Sequence, residues 1–244
     1  MSVATAVPSP AASRVPAAAA VGGAALAFAA VAFVAVFSIL AARFGYPDVL
    51  DGDAATVLPR LLALGDSGRL VWAVYALIPL LLVPAGVGAE AALGGRAPGA
   101  TRAAAVFAWL AALAMMLGLM RWPSVHWELA RAWDGAGPEA RAALAAVFKG
   151  LNVYLGNWLG EFLGELCLNV FFALTAWALA RAGGRVAVLG WVGLAKSAIG
   201  FVAMFRNVAP AVGPVSDVEN LLLPLWMIVF GVTLARLRVP AARA

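Results

Sequence analysis

"GNWLGEFLGELCLNVFFALTAWALA", residues 156–180, decides the fold class. The run is close to the roughly 20 residues that carry a helix across a bilayer, and its only charges are Glu161 and Glu165. A soluble helix of this length would need a broad polar face to meet water. Here the polar residues keep to one line. Asn157, Glu161, Glu165 and Asn169 recur every four residues, so at 3.6 residues per turn they form one slowly winding stripe. Gly156, Gly160 and Gly164 repeat beside it at the same spacing, and small residues at that interval let a second helix come close. The segment reads as a membrane span. One edge is built for packing, and the adjoining edge presents carboxylates and amides.

The composition of the whole chain agrees with that reading. Of 244 residues, 64% are hydrophobic and only 12% are charged, with a mean hydropathy of +0.95. A soluble domain carries about a quarter charged residues, so half that share cannot cover a water-facing surface. The net charge of +5 is almost all arginine, since Lys149 and Lys196 are the only lysines. The arginines stand singly at the ends of apolar runs, which is the pattern of membrane topology signals. No nucleic-acid partner is expected; the expected partner is the lipid bilayer. Scarce lysine with abundant alanine, glycine and arginine fits a bacterial protein of the inner membrane. The single cysteine, Cys167, excludes an internal disulfide and any multi-cysteine metal site.

Five further apolar runs lie near 17–42, 70–93, 102–120, 186–205 and 219–237. Together with 157–180 they predict an all-α bundle of about six transmembrane helices, a single domain over 17–237. A disordered lead, 1–16, precedes it and a basic cytoplasmic tail, 238–244, follows. The first run is far longer than the roughly 7–15 apolar residues of a signal peptide, so an uncleaved helix is expected. With the N-terminus in the cytoplasm, that side receives Arg14, Arg96, Arg102, Arg181, Arg185, Arg236, Arg238 and Arg243 against Glu90 alone. This satisfies the positive-inside rule with both termini cytoplasmic. Loops 43–69 and 121–156 then face outward. The first holds a short helix capped by Asp53. The second holds an amphipathic helix through Ala140, Leu144, Val147, Phe148 and Leu151. Together these form a small extracytoplasmic cap.

Ionisable groups at membrane depth are costly and face a cavity or a partner. Lys196 lies ten residues before Arg206, about 15 Å below the outer end of its span at 1.5 Å per residue. That is the depth of Glu165, so a Glu165–Lys196 pair is expected, with Asn169 close by. Arg121, Arg206 and Glu219 fall at other outer helix ends. The predicted site is therefore one outward-facing polar chamber formed by Asn157, Glu161, Glu165, Asn169, Lys196, Arg121, Arg206 and Glu219, with His126 at its rim. The tryptophans flanking His126 in "RWPSVHWELARAW" (121–133), namely Trp122, Trp127 and Trp133, fit an aromatic belt at the membrane boundary. Pro79 and Pro84 kink the second span, and such a kink can open room for a cavity.

Three functional readings follow. The first is a chamber that binds or passes a small polar or anionic ligand, or protons. The second is an intramembrane enzyme using Glu161, Glu165 and His126 as acid–base groups or metal ligands. The third is a structural or regulatory protein whose glycine stripe recruits a partner helix. No nucleotide, dinucleotide, nucleophile-elbow or CxxC motif is present, and no cofactor is expected. At "FGYPDVL" (44–50) and "RWPSVHW" (121–127) the chain resembles bacterial multi-span proteins grouped under domain of unknown function 4386. The resemblance spans most of 20–237. It implies a polytopic inner-membrane protein and assigns no site residue.

Overall fold

The computed structural model describes residues 13–240. The chain runs through α1 (Ala17–Phe44), α2 (Ala54–Ala63), α3 (Gly65–Leu77), α4 (Leu82–Leu93) and α5 (Pro98–Met120). It continues through α6 (Val125–Trp133), α7 (Pro138–Leu151), α8 (Gly164–Ala180), α9 (Gly184–Ala203) and α10 (Gly213–Arg236). Six helical stretches are long and apolar enough to cross a membrane: Ala17–Phe44, Gly65–Leu93, Pro98–Trp133, Pro138–Ala180, Gly184–Asn207 and Pro210–Arg236. The protein is an all-α, multi-pass membrane protein. Large apolar side chains such as Phe28, Leu70, Trp191 and Leu221 point out of the bundle, where lipid rather than water meets them.

Close approach of backbones holds the bundle together. A Cβ on Gly22 of α1 would lie 2.9 Å from Gly88 Cα of α4. A Cβ on Gly160 would lie 3.0 Å from Gly118 Cα of α5. Alanines fill most of the remaining contact surface, Ala85, Ala89, Ala104, Ala108 and Ala111 all being buried. Lipid tails are as apolar as leucine, so such packing, not water exclusion, drives association of helices in a bilayer.

The second and fourth spans depart from regular α geometry at points that bear on the site. In the second, Ile78–Leu81 forms a 3-10 turn between α3 and α4, because Pro79 has no amide hydrogen and its ring crowds the preceding turn. In the fourth, α7 passes without a loop into a π-helix over Asn152–Leu163, followed directly by α8. A π segment of this length is unusual, as π geometry mostly occurs as single-turn bulges. The fourth span is therefore one helical rod from Pro138 to Ala180, well beyond the start expected at 157.

The helix predicted after Asp53 is present: the Asp53 carboxylate accepts from the Thr56 amide at 2.8 Å. That bond holds its pKa below the ordinary aspartate value. Helices α2, α6 and α7 pack together at the end of the bundle opposite the termini. Their shared core contains Leu58, Leu61, Trp72, Trp122, Trp127 and Phe148. The aromatic-belt expectation is corrected here. Trp122 is fully buried, and Trp127 and Trp133 are 4% and 9% exposed, because α6 folds back onto α2 and carries its rings inward. Trp122 stacks on Trp72 with centroids 4.9 Å apart.

At the opposite end, Ser13–Arg14 pairs antiparallel with Val239–Pro240, bringing both ends of the described chain together. Ser13 and Arg14, which fall in the expected disordered lead, take part in this pairing. Residues 1–12 and 241–244, Arg243 included, lie outside the described residues.

Candidate functional site: an intramembrane cavity

Between α1, α3, α5, the π segment, α8 and α10 lies a cavity of about 170 Å³. Its wall is mostly apolar, with Phe33, Leu82, Met115, Leu119, Leu168 and Leu223 among the lining residues. The break at Pro79 contributes directly, since Ile78, Pro79 and Leu82 all face the space. Polar groups enter from five directions: Tyr46, Tyr75, Arg121, the pair Glu161 and Glu165, and Arg206 with Asn220.

Arg206 is the hub of one polar cluster. It follows α9 in the 3-10 turn Met204–Asn207, and its guanidinium spans both carboxylates. Nη2 lies 2.9 Å from Glu161 Oε2 and Nη1 lies 2.7 Å from Glu165 Oε1. Nη1 also donates to Ser216 Oγ at 3.3 Å, and the Asn207 amide donates to Glu161 Oε2 at 2.7 Å. The Arg206 and Glu161 side chains keep 26% and 25% of their surface exposed, so the cluster is not sealed off.

Arg121 forms the second polar centre. It is 5% exposed, with Nε donating to Asn152 Oδ1 at 3.1 Å and Nη1 to the Gly118 carbonyl. Asn152 in turn donates to the Leu50 carbonyl at 3.0 Å, tying the guanidinium to the loop after α1. Gly156 makes room for it, since a Cβ there would lie 2.5 Å from Nη2. No carboxylate among the described side chains lies within salt-bridge distance of Arg121. Across the same space the Tyr46 and Tyr75 hydroxyls stand 3.4 Å apart.

The structure brings Arg121, Glu161, Glu165 and Arg206 to one cavity and redistributes the other predicted residues. The Glu165–Lys196 pair is corrected: Glu165 binds Arg206, and Lys196 binds Glu219 with Nζ 2.5 Å from Oε1. The cause is that α10 begins at Gly213, not near 219, which sinks Glu219 about 9 Å into the bundle at 1.5 Å per residue. Lys196 is 5% and Glu219 6% exposed. Asn169 does meet Lys196, accepting from Nζ at 3.2 Å, and Gly200 leaves space for its amide. This trio stands behind the cavity wall, not in it. Asn157 contributes only its backbone carbonyl, which accepts from Asn207 at 3.4 Å.

His126 is corrected as well. It is fully buried, edge-on to Trp122 at 4.8 Å and against Phe148 at 4.7 Å. Neither ring nitrogen has a partner among the described residues. It therefore belongs to the aromatic core, not to the chamber rim. The alternative metal set of His126, Glu161 and Glu165 is not assembled. The glycine stripe packs within the chain: Gly160 meets Gly118, Gly156 the Arg121 guanidinium and Gly164 Met115. Sequence reasoning missed Tyr46, Tyr75 and Asn220. Tyr75 had a usable signal, being the one hydroxyl between Leu70 and Leu93.

Comparison with known proteins adds the family. The model for a domain of unknown function (DUF4386) matches residues 21–235, and the chain belongs to that family. No curated protein and no solved structure matches it.

Proposed function

We propose that this protein binds, and passes or senses, a small polar or anionic ligand in the cavity between its membrane spans. The observation that carries the proposal is the convergence of Arg121, Arg206, Glu161 and Glu165 on one mostly apolar space between the spans. An ionisable side chain within a membrane span is costly, on the order of 2.5–3.5 kcal/mol for a charge at the bilayer centre and less towards the interface, and it is kept where it faces a cavity or a partner. A purely structural network would be expected to fill its own interior, whereas this one borders open volume. A cavity with an apolar lining and a few convergent polar groups is the usual form of a small-molecule site.

The positive-inside distribution supports an orientation with both termini in the cytoplasm of a bacterial inner membrane. The α2–α6–α7 layer then acts as an outer cap and the chamber opens outward. Acid–base or metal chemistry involving His126 loses its geometric support, because that ring lies in the aromatic core.

The test is a thermal-unfolding screen of the purified protein against polar metabolites, run beside Leu223→Trp, which fills the cavity from α10. Compounds that raise the Tm of the native protein but not of Leu223→Trp are the expected result. Compounds that stabilise both equally, or no stabilising compound at all, would overturn the proposal.

A further inference from the structure

Resting on that reading, we infer that the cavity's ligand is a small zwitterion with an apolar side chain, of the kind formed by an α-amino acid with a hydrocarbon side chain. The charges around the cavity carry this inference. Arg206 is shared by Glu161 and Glu165, so the cluster has two carboxylates to one guanidinium, a formal excess of one negative charge. Lys196 cannot supply the balance because Glu219 holds it. Glu161 Oε1 and Glu165 Oε2 accept no hydrogen bond from any described residue, leaving acceptors for the donors of an ammonium group.

Arg121 provides the opposite pole. Its Nε and Nη1 are used by the neutral acceptors Asn152 and Gly118, and Nη2 donates to no described residue. A guanidinium with free N–H groups is suited to a carboxylate. One unmatched charge of each sign borders the same space. A simple anion would leave the carboxylate cluster unbalanced and a simple cation would leave Arg121 unbalanced, each at a desolvation cost. A zwitterion balances both.

Size and lining specify the rest of the molecule. The volume of about 170 Å³ is near the ~150 Å³ of an apolar cavity that holds one benzene ring. Phe33, Leu82, Met115 and Leu119 offer the hydrocarbon surface. That suits a short branched or aromatic side chain.

Calorimetric titration of the detergent-solubilised protein with L-leucine, isocaproate (no ammonium) and isoamylamine (no carboxylate) tests the inference. Leucine is expected to bind at least roughly tenfold more tightly than either isostere, the scale of losing one charged hydrogen-bond partner. Arg121→Gln should weaken leucine by at least that factor, while isoamylamine, which has no carboxylate to lose a partner, binds no more weakly than before. If Arg121→Gln fails to fold, the three ligands on the native protein still decide the matter. Isocaproate or isoamylamine binding as tightly as leucine would overturn the inference, as would leucine failing to bind. In either case the Leu223→Trp screen still reports separately on whether the cavity binds anything.

Discussion

Lys196 is tolerated inside the bundle because Glu219 stands against it. Removing the lysine leaves a carboxylate unpaired in the bundle, so Lys196→Ala is expected to lose about 3–5 kcal/mol. Adding Glu219→Gln should restore part of that loss, and adding Glu165→Gln should not. Denaturant unfolding of the two double variants checks the assignment; recovery by Glu165→Gln would instead favour the pair that sequence spacing suggested. The spacing set Glu165 and Lys196 at one depth, whereas Glu165 meets Arg206 just beyond α9 and Lys196 meets Asn169, one turn further along α8. A helix end judged from where hydrophobicity stops puts the sixth span at its first charge, and so lifts Glu219 to the surface. His126 was misplaced for a related reason: a lone histidine among tryptophans looks interfacial until α6 folds inward. With both ring nitrogens unpartnered, His126→Leu removes buried polarity at similar volume. It should leave the Tm unchanged or raised, and a clear fall in Tm would show that the imidazole holds a bond.

At the level of elements, the apolar runs were legible because bilayer thickness fixes their length. The glycine stripe was legible as a packing edge, and its contact with α5 follows from Gly118. The break at Pro79 was legible as a kink, since proline cannot donate to the preceding turn, but the π segment was not, because no proline marks it within its apolar run. Gly160→Val should cost about 1–3 kcal/mol by forcing the fourth span away from α5. Gly95→Ala, where an added Cβ meets nothing within 4 Å, should be neutral in the same unfolding assay. Outside the spans, the Asp53 cap has a defined pH signature. Its folded pKa lies below the unfolded value, so its contribution is complete above the unfolded pKa of about 3.9. It is lost as pH falls through the lower folded value. The stability gap between native protein and Asp53→Ala should therefore be flat near neutral pH and close below about pH 4.

For the whole molecule, the central claim is that water and small solutes reach a chamber deep between the spans. Leu223 lines it, ten residues after the start of α10 and thus about 15 Å along the helix. Leu221 lies a half-turn away and is 71% exposed on the lipid side. A thiol reacts as its thiolate, which forms in water and not in hydrocarbon. The deciding measurement is the labelling rate of Leu223→Cys and Leu221→Cys, each in a Cys167→Ser background, by a membrane-impermeant thiol reagent added to intact cells. Leu223→Cys is expected to be modified from outside and Leu221→Cys to stay unreacted. An unreactive Leu223→Cys, or equal rates at the two positions, would contradict that claim.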